Sequence, residues 1–338
     1  MKKYVRVILL LVLVLVCVFF AVRGINWHDF WGDFKKANYV WLVPAMLCVA
    51  VAMVFRAFRW QCLLSPAKIV GFADLFSAIN ICFMANNFLP ARSGEFIRAV
   101  IIGRKHKVSI STVLATVVLE RIFDAMCVVG LFLFLIFSFT LKDKLKNAGL
   151  LIAVFYISAL VILVIMRIYS GQVQRFVHRL LSCFSSGFAH KICGFLDSFL
   201  QGLNVLKEWK QVLFIVMYTI LVWSSILLTY YFLGCAFDIH MSLDGYILLL
   251  CFLVIAVMVP IPGYIASFHL AGKEALMIFG YSSSLALSYA TVAHGSQYIF
   301  ITILGLLCLR RENLSFGRLK KEEEVAEDTF EHKLNGGV

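Results

Sequence analysis

Charge is scarce in this chain. Only 15% of its 338 residues are Asp, Glu, Lys or Arg, while 62% are hydrophobic, a balance that excludes an ordinary soluble domain and points to a polytopic membrane protein. Paired cysteines are missing too. Ten thiols fall singly from Cys17 to Cys308 with no spacing of the metal-binding or redox type, so neither a metal site nor a disulfide framework is expected and the thiols read as small apolar packing residues. No nucleotide motif or basic aromatic platform accompanies the net charge of +12. The basic residues sit at the ends of apolar runs, where positive-inside topology and anionic lipid headgroups account for them, and no nucleic-acid partner is expected. The start also lacks a small-x-small cleavage site, since Phe20-Ala21-Val22-Arg23 is a poor match; an uncleaved first span is expected.

Long apolar runs are what the chain has. A span needs about 20 apolar residues, and six runs qualify: 5–22, 40–58, 112–139, 149–168, 211–235 and 285–309. Trp27, Trp31, Trp41, Trp60 and Trp209 lie near their ends, as an interfacial aromatic belt does, whereas Trp223 reads as packing inside a span. Two more segments, 72–102 and 243–280, are interrupted at Pro90 and at Pro260 with Pro262. They read as kinked crossings or as re-entrant hairpins, and the basic residues decide between the two. With hairpins, Arg104, Lys105 and Lys107 and the group from Arg167 to Lys210 share a side with both termini, opposite Arg23, Lys35, Lys36, Lys142, Lys144 and Lys146. With full crossings these groups trade sides and most of the asymmetry is lost, so the positive-inside rule favours hairpins with both termini cytoplasmic.

The expected fold is therefore an all-α polytopic membrane protein with six full transmembrane helices and two broken, re-entrant helical hairpins. Residues 1–310 form the transmembrane domain. Within it, 172–208 shows two amphipathic cytoplasmic helices whose Arg175, Arg179 and Lys191 suit the inner leaflet; residues 311–338 form a polar tail expected to be disordered. Laying Pro90–Phe96 on Pro262–Phe268 matches proline, small, small and Phe at equal offsets. The two turns would enter from opposite sides, which suggests an inverted repeat.

Charge inside the apolar runs marks the candidate site, because each such residue costs about 2.5–3.5 kcal/mol at a helix centre on insertion scales. Asn86-Asn87-Phe88-Leu89-Pro90-Ala91-Arg92-Ser93-Gly94-Glu95-Phe96-Ile97-Arg98 joins a helix break to a new helix start. Ser93 is placed to cap that half-helix, whose free amides suit a phosphate, and Arg92 and Arg98 can supply forked charge-assisted bonds. A plainer role competes: Glu95 neutralises an arginine, and Asn86 and Asn87 satisfy the turn. Glu120 and Asp124, four apart on one helix face, flank Arg121; they can pair with Arg92 or Arg98, either as a lock on the first hairpin or as a coupling element. In the second half, His269 and Lys273 lie four apart, Glu274 is adjacent, and His294 and Gln297 lie three apart. These form a second half-site or proton relay, while two histidines alone do not make a metal centre. Arg56 and Arg59, at the inner end of the second span, read as snorkelling anchors.

The 86–98 stretch, Glu120-Arg121-x-x-Asp124, Pro262-Gly263, and His294-x-x-Gln297 before Gly305 resemble the flippase-like transmembrane domain of the lysylphosphatidylglycerol synthase family over about residues 5 to 310. Pro90, Arg92, Gly94, Glu95 and Arg98 match its first motif, and Glu120, Arg121 and Asp124 its second. Ala91 stands where glycine is common, and Tyr264, Ala266 and His269 replace glycines and a glutamate of the second-half motif. The resemblance implies translocation of an anionic phospholipid or lipid-linked phosphate across a bacterial or archaeal plasma membrane. Asn86, Asn87, Arg92, Ser93, Gly94, Glu95 and Arg98 would bind substrate; Glu120, Arg121, Asp124, His269, Lys273, His294 and Gln297 would form the charge network. A short tail in place of an aminoacyl-transferase domain leaves synthase activity, catalytic residues and cofactors unimplied. The alternatives are an intramembrane enzyme using Glu120, Asp124 or His269 as acid or base on a lipid-phosphate or glycosyl carrier, and an adaptor for envelope assembly.

Overall fold

The structure is a computed structural model and describes residues 2–89, 93–138, 154, 157–158, 161–162, 164–166, 168–182, 186–258, 261–314 and 317. Pro90, Ala91, Arg92, Pro260, most of the expected span at 149–168, the lysines Lys142, Lys144 and Lys146, and the tail after Gly317 lie outside the described residues. Every regular element described is helical. In chain order these are α1 (Lys2–Val22), α2 (Trp27–Lys36), α3 (Leu42–Leu64), α4 (Phe72–Phe88), α5 (Gly94–His106), α6 (Ile110–Ser138), α7 (Ser170–Ser182), α8 (Ser186–Gly202), α9 (Trp209–Ala236), α10 (Leu243–Met258), α11 (Ile265–Ile278) and α12 (Ser283–Arg311), with 3₁₀ turns at Tyr39–Trp41, Leu203–Lys207 and Pro262–Tyr264.

Three of the expected crossings are helices long and apolar enough to traverse a membrane: Tyr39–Leu64, Trp209–Ala236 and Ser283–Arg311. The pair Val12–Val22 and Trp27–Lys36 makes a fourth only if counted as one broken span, since it is bent by 82°. The expected run at 112–139 is covered as far as Ser138 by the 29-residue helix α6. By contrast, α4 and α5 have 17 and 13 residues, about 26 and 20 Å at 1.5 Å per residue, each short of a bilayer's roughly 30 Å core.

Both interrupted segments fold back on themselves. In the first, the start of α4 meets the end of α5: Lys105 Nζ lies 3.0 Å from Asp74 Oδ1 and His106 Nε2 lies 3.0 Å from Asp74 Oδ2. Lys105 also reaches Glu312 Oε2 at 2.6 Å, and Arg311 donates to the Ala73 carbonyl at 3.0 Å, so this hairpin opens beside the end of α12. In the second, Tyr281 Oη donates to the His240 carbonyl at 2.9 Å, closing the mouth of α10 and α11 beside the start of α12.

The two hairpins thus open toward opposite ends of α12, and their closed tips meet near its middle. Asn87 Nδ2 donates to Thr302 Oγ1 at 3.0 Å, Tyr298 Oη donates to the Asn87 carbonyl at 3.3 Å, and His294 Nε2 lies 2.8 Å from the Gly263 carbonyl. Gly263 (φ 63°) and Tyr264 (φ 56°) are both left-handed, the sharp reversal that ends the second tip. A Cβ on Gly263 would sit 3.1 Å from the Asn87 carbonyl, so the tips touch backbone to backbone.

Polar stitches tie the helix ends into two faces. On the face holding the C-terminal end of α12, Ser65 Oγ meets Gln211 Oε1 at 3.4 Å and Thr112 Oγ1 donates to the Ser198 carbonyl at 2.8 Å. On the opposite face, the Asn38 amide donates to the Ala236 carbonyl at 2.8 Å, and Ser288 Oγ of α12 donates to the Phe30 carbonyl of α2 at 2.9 Å. The 172–208 segment is two helices, α7 and α8, as its periodicity predicts. Leu200 and Leu203 are buried, while Phe176 and Leu180 on α7 remain exposed, an apolar stripe suited to a leaflet surface.

Close approach rests on small residues, because lipid tails are as apolar as leucine and give helices no hydrophobic reason to associate. A Cβ at Gly305 of α12 would fall 2.3 Å from Met84 Cβ and 2.9 Å from the Asn80 carbonyl of α4. Gly295 on the same helix has nothing within 4 Å. Replacing Gly295 by Ala should leave thermal stability in detergent unchanged or raise it by up to about 1 kcal/mol from helix propensity. Gly305→Ala should lower it by about 1–3 kcal/mol as α4 is pushed away; a melting curve for each variant checks the pair.

Candidate functional site: a buried arginine cluster and a hairpin junction

Three helices bring charge to one place, and a fourth brings polar partners. On α3, Arg56, Arg59 and Trp60 share a face; α5 supplies Glu95 and Arg98, α6 supplies Glu120, Arg121 and Asp124, and α9 supplies Thr219 and Trp223. Each set is spaced three or four residues apart, which stacks side chains on one side of a helix. Arg59, Arg98 and Glu120 are wholly buried, and Arg56 and Asp124 nearly so.

Glu120 is the hub. Its Oε2 lies 3.0 Å from Arg98 Nη1, and its Oε1 lies 3.3 Å from Arg59 Nη2 and 2.5 Å from Arg121 Nη2. Asp124 takes Arg59 in a fork: Oδ1 accepts from Nη1 at 2.6 Å and Oδ2 from Nη2 at 3.3 Å. Trp223 Nε1 donates to Asp124 Oδ1 at 3.2 Å, Arg59 Nη1 also reaches Thr219 Oγ1 at 3.1 Å, and Arg56 Nη1 stands 3.7 Å from Asp124 Oδ2. Aromatic faces cover two cations: Arg98 lies 4.8 Å over Trp60, and Arg56 5.0 Å over Phe83. Trp60 is itself held by Thr116 Oγ1 at 3.0 Å.

The carboxylates are occupied, but the guanidiniums are not. Counting Glu95, whose Oε1 is 3.6 Å from Arg121 Nε, four arginines face three acids and leave one positive charge in excess. Buried nitrogens of Arg56 (Nε, Nη1), Arg59 (Nε), Arg98 (Nε, Nη2) and Arg121 (Nε), together with Ser93 Oγ, have no hydrogen-bond partner among the described residues. Such unmet donors in a low-dielectric interior favour an anion or water. Arg121 and Glu95, with side chains 31% and 23% exposed, are where the cluster reaches the surface.

Sequence and structure differ in instructive ways here. Arg56 and Arg59 do not snorkel to the membrane face; their side chains are turned inward because Asp124 and Glu120 lie opposite. Trp60 is fully buried rather than part of an aromatic belt, and Trp223 is a hydrogen-bond donor to Asp124 rather than mere packing. Ser93 makes no side-chain cap on α5. Asn86 takes that task instead, its Oδ1 accepting from the Gly94 amide at 3.0 Å. Gly94 is required at that contact, since a Cβ there would lie 2.2 Å from the Cys82 carbonyl.

The second-half residues form no part of this network. Among the described residues, no hydrogen bond or ion pair joins His269, Lys273, His294 or Gln297 to the Glu120 cluster. His269 and His294 instead contact each other at the hairpin junction, ring centroids 5.2 Å apart. Gln297 donates to the Ala293 carbonyl one turn back at 3.0 Å. Lys273 is buried elsewhere: its Nζ donates to the Phe20 carbonyl at 2.6 Å and the Arg23 carbonyl at 3.3 Å, capping the end of α1. It is a stitch between α11 and α1.

Removing one partner of a buried pair leaves the other charge uncompensated, at a cost of about 3–5 kcal/mol. Asp124→Asn, nearly isosteric, should therefore destabilise the protein by that amount, far more than Glu274→Gln at an exposed position. Thermal denaturation of the two variants in the same detergent checks the difference.

Neither a curated protein nor a solved structure matches the chain. The family model described as the lysylphosphatidylglycerol synthase TM region matches residues 7–305. That stretch holds every side chain of the arginine cluster and both hairpin tips. The chain thus belongs to the lysylphosphatidylglycerol synthase transmembrane-region family.

Proposed function

We propose that this membrane protein is a lipid flippase that carries an anionic phospholipid or lipid-linked phosphate headgroup through a polar interior while the acyl tails stay in lipid. Family membership supports a lipid-related function in the membrane. The observation that carries the finer reading is the buried cationic excess, with guanidinium donors unmet beside the closed end of a short helical hairpin. Guanidinium forks match phosphate oxygens, and binding there would satisfy donors that otherwise stay dry. Transport is favoured over acid–base chemistry at this cluster because both Glu120 oxygens and both Asp124 oxygens are engaged by arginine, which ties up the lone pairs a general base needs.

In this reading α4–α5 and α10–α11 are re-entrant hairpins entering from opposite sides, an inverted pair with tips at mid-bilayer. Their opposed mouths and touching tips support it. Non-helical backbone at that depth is tolerated where it is buried in protein or lines a wet cavity. The face with Lys68, Arg104, Lys105, Lys107, Lys207, Lys210, Arg310 and Arg311 would be cytoplasmic in the plasma membrane, by the positive-inside rule.

Two measurements test this. In a variant with its native cysteines replaced by serine, single cysteines at Gly24 and Asp238 should react with an impermeant maleimide applied outside intact cells, and cysteines at Lys107 and Lys210 should not; the reverse pattern would invert the topology. In proteoliposomes, dithionite quenching should report movement of fluorescent phosphatidylglycerol between leaflets. Arg98→Gln should slow it roughly ten- to a hundredfold, the loss of one charged hydrogen bond of about 1.5–3 kcal/mol. Gel filtration of the variant guards against unfolding, and an unchanged rate in folded protein would rule out the arginine site as the carrier.

A further inference from the structure

The junction of the two hairpins holds a pair of titratable rings that the arginine site does not use. His294 on α12 and His269 on α11 stand edge to face, with Phe268 5.0 Å and Tyr298 5.8 Å from His294. Each ring already spends one nitrogen on a carbonyl: His294 Nε2 on Gly263 at 2.8 Å, and His269 Nδ1 on Ile265. Carbonyls only accept, so both of these nitrogens carry hydrogen. What remains is the Nδ1 lone pair of His294 and the Nε2 lone pair of His269, neither with a partner among the described residues. A proton can enter at either without breaking an existing bond, and once there it creates an N–H with nothing in the protein to accept it. Rings this close take up one proton between them before a second becomes costly.

Among the described residues, no ion pair reaches either ring. Tyr298 lies on the same helix and bridges to the Asn87 carbonyl of the first tip; Tyr264 closes the second tip, and α9 contributes Tyr230, whose carbonyl accepts from Tyr289. The one ionisable carboxylate of α4, Asp74, is held at the far mouth by Lys105 and His106, and that of α10, Asp244, lies at its own mouth. The charged residues of α2 lie on the opposite face, where that helix meets Ser288 of α12. On α3, Arg56 and Arg59 are engaged by the Glu120 cluster. One turn farther along α11, Lys273 is tied to the end of α1, with Glu274 beside it and half exposed. The arginine side of the interior thus carries its cations in one cluster, while on the other side Lys273 is spent on the end of α1 and a proton on the histidine pair is the charge that can come and go.

We propose that His269 and His294 together bind one proton, and that the protonated pair is a second, switchable cationic half-site that accepts the anionic headgroup from the arginines. This rests on the reading of the protein as an anionic-lipid flippase. Proton and anion then move as a neutral pair across the half of the path that lacks arginine, so binding of one favours binding of the other. If anion binding raises the pair's affinity for a proton by one pKa unit, anion affinity is about tenfold higher below the histidine titration than above it.

Binding is the direct test, because it does not depend on turnover. Purified protein in neutral detergent is titrated with short-chain phosphatidylglycerol and, separately, with zwitterionic phosphatidylcholine, at pH 5.5 and pH 8, and the shift in melting temperature gives each affinity. The phosphatidylglycerol phosphate stays ionised throughout, so any change with pH belongs to the protein. The expected result is about tenfold tighter phosphatidylglycerol binding at pH 5.5, no such change for phosphatidylcholine, and loss of the pH effect in His269→Gln with His294→Gln, while binding at pH 8 persists. Single substitutions serve if the double variant does not fold. Equal affinity at both pH values, or a pH effect of the same size when both histidines are replaced or in each single variant, overturns the proposal while leaving the arginine site standing. Absence of phosphatidylglycerol binding at any pH overturns both.

Discussion

A carboxylate with three arginines around it, sealed from water, is the constraint on which the architecture depends. Glu120 draws Arg98 from α5, Arg59 from α3 and Arg121 from its own helix, and Asp124 adds Trp223 from α9. None of these charges would tolerate apolar surroundings alone, so the helices carrying them are forced into one register: a slide of α3 by one turn would carry Arg59 about 5.4 Å away from its fork with Asp124. Buried pairs of this kind are poor sources of net stability, because desolvation consumes most of the Coulombic gain. What they enforce is uniqueness. In a medium where every apolar face is equally content against lipid, a polar key decides which faces meet.

The second organising element is steric. Two short helical hairpins converge on the middle of α12 from opposite ends, and glycines permit the close approaches within and between them: Gly94 on Cys82 inside the first, Gly263 on Asn87 between the tips, and Gly305 on Met84 and Gly272 on Ala290 against α12. Backbone carbonyls are thereby brought within reach of side-chain donors such as Tyr298 and His294. The mouth of the first hairpin is clasped by Lys105 between Asp74 and Glu312, at a surface where water screens the pair and its worth is small. The interior is therefore held far more firmly than the rim.

Much of this was legible in the amino-acid sequence, for physical reasons that also explain the gaps. Glu120, Arg121 and Asp124 declare themselves because ionised groups inside a long apolar run are expensive, and the prolines mark where the two interrupted segments break, while the side preference of the basic residues is what favours a fold-back over a kinked crossing. Arg56 and Arg59 misled because they lie five to eight residues before the end of α3, about 8–12 Å, a distance that a long side chain can cover. Depth along a helix was the wrong coordinate; azimuth decides. The buried stripe of α3 runs through Ala45, Val49, Ala52, Arg56, Arg59 and Leu63, at helical spacing and with small residues that mark a helix contact. The arginines on that stripe had to face protein. Thr219 and Trp223, four apart on α9, carried the same signal. Ser93 misled differently: it stands just before α5, where a cap belongs, and only three-dimensional proximity shows that Asn86, eight residues before Gly94, reaches the amide.

The pattern of exposure also says which part of the cluster can rearrange. Arg59 and Asp124 form a forked, doubly bonded pair shielded by Trp223, and breaking it would give up the shortest contact that Asp124 makes. Arg121 is different. Its guanidinium already lies between Glu120 at 2.5 Å and Asp124 and Glu95 at 3.6 Å, and it is the most exposed member. Turning from Glu120 toward Glu95 would exchange one carboxylate for another, leave the Arg59 fork intact, and leave Glu120 held by Arg59 at one oxygen and Arg98 at the other. Glu95 sits on the first turn of α5, directly after the hairpin tip, so the same exchange would draw on the one element of the cluster that is not anchored in a full-length helix. Such an exchange would be a swap between neighbouring carboxylates, whereas displacing α3, α6 or α9 would break the Arg59 fork or the Trp223 contact.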